Sequence, residues 1–288
     1  YKLDQCRIRV APQVSAAGGE LILDRAVALD AEHQKIRLEG GRQVDYDWLS
    51  IDIGSGSNLA DLEGYDDPLI SVKPIERFQA QWREFEEQCQ TTGAGHLVVV
   101  GGGAAGVELA MAAANVVRHN HEGGGRVSLI AGDDGPLPGF NGLMRRLAAR
   151  KLVRRRVTVI GQRASVRDGK LQLADGTGLK TGPVLAATGA AAEPFLKDSG
   201  LAVDEQGFLR VDACHQSLSH NNVFAVGDTC SREDGALNRS GVHAVKAGPI
   251  LADNLRSALG EGALKPFRPR RYSLYLLACG DRTAIGSY

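Results

Sequence analysis

No two of the five cysteines, Cys6, Cys89, Cys214, Cys230 and Cys279, form a C-x-x-C or another metal-spaced pair. This scatter argues against a disulfide framework and against a zinc site, and it fits a reducing compartment. No apolar stretch approaches the length of a membrane span, and no signal peptide is visible. We therefore expect a cytoplasmic protein without a membrane span.

The sequence carries no net charge, because 34 Lys and Arg residues balance 34 Asp and Glu residues. No global field therefore favours a nucleic-acid partner. Glycine is abundant instead, at 36 of 288 residues, which is typical of an α/β protein with many tight turns.

Residues 96–110, HLVVVGGGAAGVELA, combine an apolar run, a glycine-rich turn and a helical pattern. The apolar run 96–100 predicts a buried parallel strand. The turn matches G-x-G-x-x-G, and its positions are Gly101, Gly102, Gly103, Ala104, Ala105 and Gly106. This context predicts a nucleotide site, whereas a glycine-rich turn without a ligand is the alternative.

Three of these glycines have separate physical reasons. Gly101 permits a tight turn off the strand, and Gly106 lets the helix pack closely against the strand. Gly103 lets a pyrophosphate approach the backbone, so that the anion lies at the N-terminus of the following helix.

The rest of the chain predicts alternating elements. Helices are expected from about Pro74, over 104–118, over 141–153 and over 241–259. Strands at 127–130 and 157–160 complete a βαβαβ half-fold, and further strands are expected at 183–189 and 222–228. A strand pair is expected at 273–279 and 283–287. Toward the N-terminus the apolar residues 21–23 and 26–29 favour short strands, 45–55 a core strand and 58–72 a loop.

Three motifs in this order resemble the pyridine nucleotide–disulfide oxidoreductases, which are flavoproteins with two dinucleotide-binding domains. They are the glycine motif, the strand end Ala187-Thr188-Gly189, and the strand that ends in Gly227-Asp228. The chain is most similar to the type II NADH dehydrogenase-like branch, which has no redox cysteine pair. Residues 47–55 and 276–286 further resemble the NADH dehydrogenase-like domain that some bacteria carry joined to selenophosphate synthetase.

The resemblance covers nearly the whole chain and implies an α/β fold with two Rossmann-like domains that bind FAD and NAD(P). Residues 1–72 and 191–265 would form the FAD domain, which is split by an NAD(P) domain at 73–190. Residues 266–288 would begin a truncated C-terminal interface domain. The FAD domain's own N-terminal βαβ unit, with its glycine motif, is missing from this sequence.

The resemblance also implies roles for individual residues. Asp228 corresponds to a carboxylate that binds a flavin ribityl hydroxyl, and Glu108 to a catalytic position near the nicotinamide. The amides near Ala244 and Val245 would face the pyrimidine edge of the flavin. Alternatives stay open, since Asp228 also suits a cap and Glu108 a surface charge. The other implied cofactor residues are Gly54, Ser55, Thr188, Gly189, Gly227 and His243, of which His243 also suits a packed or solvated position.

The choice between NADH and NADPH depends on the end of the second strand, where an acid binds the ribose 2′-hydroxyl and an arginine accommodates a 2′-phosphate. Ala131 occupies the expected acid position, and Asp133 follows two residues later. Arg145 and Arg146 lie on the next helix. NADH is favoured, and NADPH stays open.

The implied function is hydride transfer from NAD(P)H to FAD and then to a small-molecule acceptor, with a quinone implied by the branch. One alternative is a regulatory or non-catalytic nucleotide-binding module. Another is a disulfide or sulfide oxidoreductase, for which Cys214 and Cys230 are the nearest pair, without C-x-x-C spacing. The family also allows a homo-oligomer and peripheral contact with the inner face of a membrane.

Overall fold

The computed structural model describes residues 8–92, 95–119, 125–179, 182–235, 239–260, 262–269 and 274–287. The helices in these ranges are α1 (Ala11–Ala16), α2 (Ile75–Thr92), α3 (Ala104–His119), α4 (Gly142–Arg154) and α5 (Gly241–Leu259). The strands are β1 (Ala26–Asp30), β2 (Lys35–Leu38), β3 (Gln43–Asp45), β4 (Leu49–Ile51), β5 (Gly56–Ser57), β6 (Leu69–Ser71), β7 (His96–Val100), β8 (Arg126–Ile130), β9 (Val157–Ile160), β10 (Ala164–Arg167), β11 (Lys170–Leu173), β12 (Val184–Ala186), β13 (Ala190–Ala191), β14 (Leu209–Val211), β15 (Val223–Ala225), β16 (Cys230–Arg232), β17 (Tyr275–Ala278) and β18 (Ala284–Ser287). Short 3-10 helices span Ala60–Leu62, Pro194–Leu196 and Gly227–Thr229.

The chain divides into two compact units. The first unit comprises Tyr1–Ser55 and Ala192–Pro269, and the second unit comprises Gly56–Ala191 and Arg270–Tyr288. The boundaries expected from the sequence fall after residues 72, 190 and 265. The first expected boundary lies furthest from the observed one, which falls after Ser55. The reason is that β5 pairs with β13 and β6 pairs with β12 inside the second unit.

A five-stranded parallel sheet in the order β6-β12-β7-β8-β9 forms the centre of the second unit. Alternate residues of β7 face opposite cores, as the pleat requires. Leu97 and Val99 belong to the core that includes α3 and α4, whereas Val98 and Val100 belong to the core with Leu171 of β11. The buried parallel strand predicted at 96–100 is therefore confirmed.

Helices α3 and α4 begin and end close to their predicted bounds. The side chain of Asn141 accepts a hydrogen bond from Met144 N at 2.9 Å, which caps the N-terminus of α4. Met144, Ala148 and Leu152 repeat every four residues and are buried, so one face of α4 packs into the core. The predicted βαβαβ half-fold is confirmed.

The first unit has shorter strands. β1, β2 and β3 form an antiparallel sheet, and β4 pairs with β15 in parallel, with Leu49 opposite Val223. β14 pairs with β16, also in parallel. Helix α5 has the predicted bounds, and its buried residues Ala247 and Leu251 pack in a core with Phe224.

Three predictions about short N-terminal elements are wrong. Residues 21–23 form no strand, and the strand expected over 45–55 is confined to Leu49–Ile51. The loop expected over 58–72 contains β6, whose Leu69 pairs with Val184 at the edge of the sheet. A three-residue strand shows too few alternations to be recognised, and pairing with a distant strand decides its structure.

Candidate functional sites

The glycine loop 101–106 connects β7 to α3 at the point where the strand order of the sheet reverses, since β7 has β8 on one side and β12 on the other. Ligands of open α/β sheets bind in the crevice at such a switch point. Gly101 N donates to Ile130 O at 2.9 Å, which holds the start of the loop on β8.

Close backbone approach explains Gly101 and Gly106. Gly101 has φ +130°, and a Cβ on it would overlap the carbonyl oxygen of Ala187 at the end of β12. A Cβ on Gly106 would overlap the carbonyl oxygen of Gly101, and one on Gly102 would overlap that of Ala131. The compact turn itself therefore requires glycine at these positions, whatever binds there.

Gly103 differs from its neighbours. Apart from its own atoms and those of its two chain neighbours, no atom of the described residues lies within 4 Å of the position that its Cβ would occupy. Gly103 and Ala105 are exposed beside the first turn of α3, where amide groups and the helix dipole favour an anion. The open backbone at Gly103 and the small side chains of Ala104 and Ala105 fit the pyrophosphate of a dinucleotide.

Two further segments of the second unit lie beside this loop. Ala187 N donates to Val100 O at 2.9 Å, so the turn after β12 adjoins the end of β7. The hydroxyl of Thr188 donates to Asn58 O, and Asn58 N donates to Gly189 O at 2.8 Å. Thr188 and Gly189 are thus held against residues just after β5.

Glu108 lies in the second turn of α3 and is partly buried. Its Oε1 accepts a hydrogen bond from the backbone N–H of Ala278 at 2.6 Å. The glutamate therefore connects α3 to the β17–β18 hairpin, a contact that the sequence did not indicate.

Charged residues follow the end of β8. Ala131 is buried, whereas Asp133 is exposed, and its Oδ2 lies 3.6 Å from Arg163 Nε. Arg145 donates to the carbonyl oxygens of Asp134 and Pro136, so its guanidinium fixes the loop that follows β8.

In the first unit the turns after the parallel strands β4 and β15 lie together. Gly54 and Gly227 both have positive φ, +72° and +73°, which turns the chain sharply after each strand. Ser55 Oγ lies 3.4 Å from Asp228 Oδ2 and donates to it. The hydroxyl and the carboxylate thus meet at the carboxyl ends of the two strands.

Helix α5 begins beside this carboxylate. The amides of His243 and Ala244 donate to Ser240 O at 3.0 and 3.2 Å, so both are engaged within the first turn of the helix. Val245 is 77% exposed. The helix end can therefore act on a ligand through its dipole, with the amides of these residues serving the helix itself.

A cavity of about 600 Å³ lies within the first unit. Gly227, Asp228, His243 and Ala244 line it, together with Arg210 and Arg239, which the sequence did not single out. Its volume falls in the range that small-molecule sites occupy, about 300–1,000 Å³. A carboxylate at the wall of such a cavity suits the hydroxyl groups of a flavin's ribityl chain.

His215 and Arg232 support one wall of this cavity. His215 is buried, and its Nδ1 lies 3.1 Å from Ala225 O. Burial, together with the neighbouring Arg232 guanidinium, lowers the pKa of His215 to about 4. Arg232 Nε donates to Asp234 Oδ1 at 2.8 Å, and its Nη2 donates to Phe267 O at 3.0 Å. This buried network holds the backbone at Phe267 in place at the cavity wall.

The four cysteines that the structure describes are all free, and Cys6 lies outside the described residues. Cys230 Sγ donates to Gly227 O at 3.4 Å. Burial raises the pKa of the Cys230 thiol to about 11, which disfavours the thiolate that disulfide chemistry needs. Among the described residues, no group of His, Cys, Asp and Glu could hold a metal ion. No helix in the described ranges is both long and apolar enough to cross a membrane.

The parallel sheet with its glycine loop, and the Gly–Asp turn that lines a cavity in the other unit, define a nucleotide-binding protein of the α/β class. A family model described as pyridine nucleotide-disulphide oxidoreductase matches residues 9–249, and the chain belongs to that family. The predicted family and its FAD/NAD(P)-binding fold class are confirmed. The closer resemblance to a domain joined to selenophosphate synthetase stays a prediction.

Two relatives have names that state an activity. The chain is 26% identical over 254 residues to the mitochondrial internal alternative NAD(P)H-ubiquinone oxidoreductase A1 of Arabidopsis thaliana, covering 77% of this chain and 49% of that protein. It is 27% identical over 222 residues to the demethylphylloquinone reductase NdbB of a Synechocystis strain, covering 73% of this chain and 53% of that protein. The chain thus spans about half the length of each.

The fold also matches a solved structure, the sulfide:quinone oxidoreductase of Aquifex aeolicus. The TM-score is 0.80 at 14% identity, and the match covers 100% of this chain and 75% of the other. At this identity the match shows a shared fold.

Proposed function

We propose that this chain is the nucleotide- and flavin-binding part of an NAD(P)H dehydrogenase. The observation that carries the proposal is the glycine loop, in which three glycines are required by backbone contacts and Gly103 alone opens to solvent beside a helix N-terminus. When both cofactors are bound, the nicotinamide supplies a hydride to the flavin, which then reduces a second acceptor.

In this proposal the second unit binds NAD(P)H. The loop 101–106 holds the pyrophosphate, and the N-terminus of α3 stabilises its negative charge. Thr188 and Gly189 form the neighbouring turn, over which the dinucleotide passes. Glu108 lies one turn further along α3 and would be near the nicotinamide.

The first unit binds FAD in the same proposal. Asp228 would accept a hydrogen bond from a ribityl hydroxyl, and Ser55 would orient the carboxylate through its 3.4 Å contact. Gly54 and Gly227 shape the turns that bring these groups together. The N-terminal turn of α5, with His243, Ala244 and Val245, would hold the flavin ring near the positive end of the helix dipole, which would favour negative charge there.

We propose NADH as the preferred donor, with NADPH accepted. Asp133 is the acid nearest the end of β8, and a carboxylate there suits a ribose 2′-hydroxyl. Arg163 offsets part of that charge from 3.6 Å, which reduces the repulsion of a 2′-phosphate. Arg145 is occupied by two carbonyl oxygens and contributes less.

The proposed acceptor is a quinone. Support comes from the names of the two relatives, one an NAD(P)H-ubiquinone oxidoreductase and the other a demethylphylloquinone reductase. Reduction of a lipid-soluble quinone would bring the protein to a membrane surface, so peripheral contact is part of the same proposal. The cytoplasmic location and a homo-oligomer stay predictions.

Reconstitution tests the proposal. The purified chain is incubated with FAD and desalted, and the visible flavin bands are recorded before NADH and a soluble quinone analogue are added. We expect flavin to be retained, one equivalent of NADH per bound flavin to be oxidised without quinone, and further NADH to be consumed when the quinone is present. The Gly103→Glu variant, which places a bulky anion where the pyrophosphate belongs, should bind FAD and fail to oxidise NADH.

The test separates the alternatives. A nucleotide-binding module without turnover would bind NADH and leave it unoxidised with every acceptor. The chain covers about half of each of the two relatives, so their activity is tested here and not assumed. A disulfide oxidoreductase would gain two thiols on reduction by NADH, and thiol titration measures this. Absence of flavin together with absence of NADH binding would overturn the proposal.

A further inference from the structure

The hairpin formed by β17 and β18 packs directly on α3. Leu277, Cys279 and Ile285 are buried in the core that α3 and α4 share. Gly280 has φ +71°, and a Cβ on it would lie 2.9 Å from Met111 O. The hairpin turn therefore touches the backbone of α3, and a side chain at Gly280 would push it away.

Charged side chains fasten the same turn of the hairpin to the C-terminal end of α4. Arg155 Nη2 lies 2.7 Å from Asp281 Oδ2, and Lys151 Nζ lies 3.0 Å from Thr283 Oγ1. Hydrogen bonds from Thr283, with the Arg155 guanidinium, hold the pKa of Asp281 well below its usual range. The carboxylate is therefore ionised wherever the protein is folded at neutral pH.

Glu108 adds a hydrogen bond between the hairpin and α3. Cys279 N donates to Thr283 O at 2.9 Å, and Ala278 pairs opposite Ala284. Because inward and outward amides alternate along an antiparallel pair, the N–H of Ala278 points away from β18. Glu108 Oε1 accepts this outward N–H at 2.6 Å, a charge-assisted bond of the stronger kind.

Helix α3 therefore links the glycine loop to the β17–β18 hairpin. Its N-terminus follows Gly103, the position that opens to solvent, and five residues later Glu108 binds the edge of β17. We propose that Glu108 is a positioning residue that holds the β17–β18 hairpin beside the glycine loop, so that the hairpin forms one wall of the NAD(P)H site. This inference rests on the proposed function.

The role differs from direct contact between the Glu108 carboxylate and the nicotinamide. A positioning role needs only an acceptor oxygen at this place, which the amide of glutamine also supplies. A direct electrostatic role needs the negative charge, which glutamine lacks. Glu108→Gln and Glu108→Ala therefore separate the two.

The first measurement is hydrogen exchange of the Ala278 amide in the nucleotide-free protein. We expect exchange to be about tenfold faster in Glu108→Ala, because a bond to a charged acceptor is lost, and to stay within about twofold of wild type in Glu108→Gln. Glu84→Ala, at an exposed position of α2, serves as the matched control and should leave the exchange unchanged.

The second measurement is the dissociation constant for NAD⁺. Glu108→Ala should raise it about fivefold, whereas Glu108→Gln should leave it within about twofold. Asp281→Ala loosens the hairpin at α4, far along the chain from the loop, and should also raise it. Asp281 bonds Arg155 at the end of α4 and does not bond the glycine loop. A weaker NAD⁺ affinity in Asp281→Ala would therefore show that the hairpin itself acts on the NAD(P)H site.

Two results would overturn the proposal. One is an Ala278 exchange rate that Glu108→Ala leaves unchanged. The other is an NAD⁺ affinity that Glu108→Gln lowers as much as Glu108→Ala does, with Asp281→Ala having no effect, which would assign a direct role to the charge. If the wild-type chain binds no dinucleotide, the proposed function fails, and the exchange comparison still decides whether Glu108 positions the hairpin.

Discussion

The glycine loop of the second unit and the Gly–Asp turn of the first unit are built in opposite ways. Three of the four loop glycines cannot accept a Cβ, because backbone carbonyl oxygens of Ala187, Ala131 and Gly101 lie against them. The Asp228 turn depends on side chains, namely its own carboxylate and the Ser55 hydroxyl. The first kind of site is broken by adding atoms, and the second by removing them.

The largest expected effect is that of Gly106→Ala. The new methyl group would overlap the carbonyl oxygen of Gly101, so the loop or α3 must shift. We expect a loss of about 3 kcal/mol in the free energy of unfolding, as in other overpacked sites, together with loss of NADH binding. Urea unfolding and NADH titration measure the two losses, and an unchanged unfolding midpoint would refute the steric account.

Gly103 provides the contrast within the same loop. Gly103→Ala meets no protein atom, so its free energy of unfolding should stay within about 0.5 kcal/mol of wild type. NADH affinity should nevertheless fall, because the methyl group occupies the space proposed for the pyrophosphate. Equal NADH affinity in wild type and Gly103→Ala would show that the pyrophosphate does not bind at Gly103.

The buried His215 makes the first unit sensitive to acid. Its pKa is about 4 in the folded chain and about 6.5 in an unfolded one, so the unfolded state takes up the proton first as the pH falls. The free energy of unfolding should fall by about 3 kcal/mol between pH 6.5 and 4 and be unaffected by this residue above pH 6.5. Comparing the pH profile of the unfolding midpoint with that of His215→Gln isolates the contribution, and identical slopes would exclude it.

Asp228→Ala should weaken FAD binding and leave NADH affinity unchanged. Removal of a charged acceptor from the cavity wall is expected to raise the dissociation constant for FAD about tenfold. Ser55→Ala, which keeps the carboxylate and removes its neighbour, should have a smaller effect. Fluorescence quenching of added FAD measures both, and equal effects of the two variants would contradict a direct role for Asp228.

The smallest expected effect concerns the choice of donor. Arg163→Ala removes the cation beside Asp133, and because both side chains are exposed the free energy of unfolding should change by less than about 0.5 kcal/mol. The preference for NADH over NADPH should rise about threefold, and Asp133→Asn should lower it. Dissociation constants of the two dinucleotides for each variant test this, and parallel shifts for both donors would count against it.

Local patterns were sufficient for the long elements. The bounds of α5 and the succession of β7, loop and α3 follow from periodicity, glycine placement and apolar runs within about twenty residues of chain. The family and its fold class followed from the order of three such motifs. The short elements β6 and α1 were missed, because neither is long enough to show a period.

What the sequence by itself determined is therefore the set of long helices and strands, the position of the glycine loop and the class of protein. Only the tertiary structure decided which contacts act on these motifs. Ala187 O makes Gly101 obligatory, Ser55 meets Asp228, and Ala278 engages Glu108 across 170 residues of sequence. Each of these contacts is made when strands or helices pair over a long separation, and no local pattern encodes the distance of closest approach.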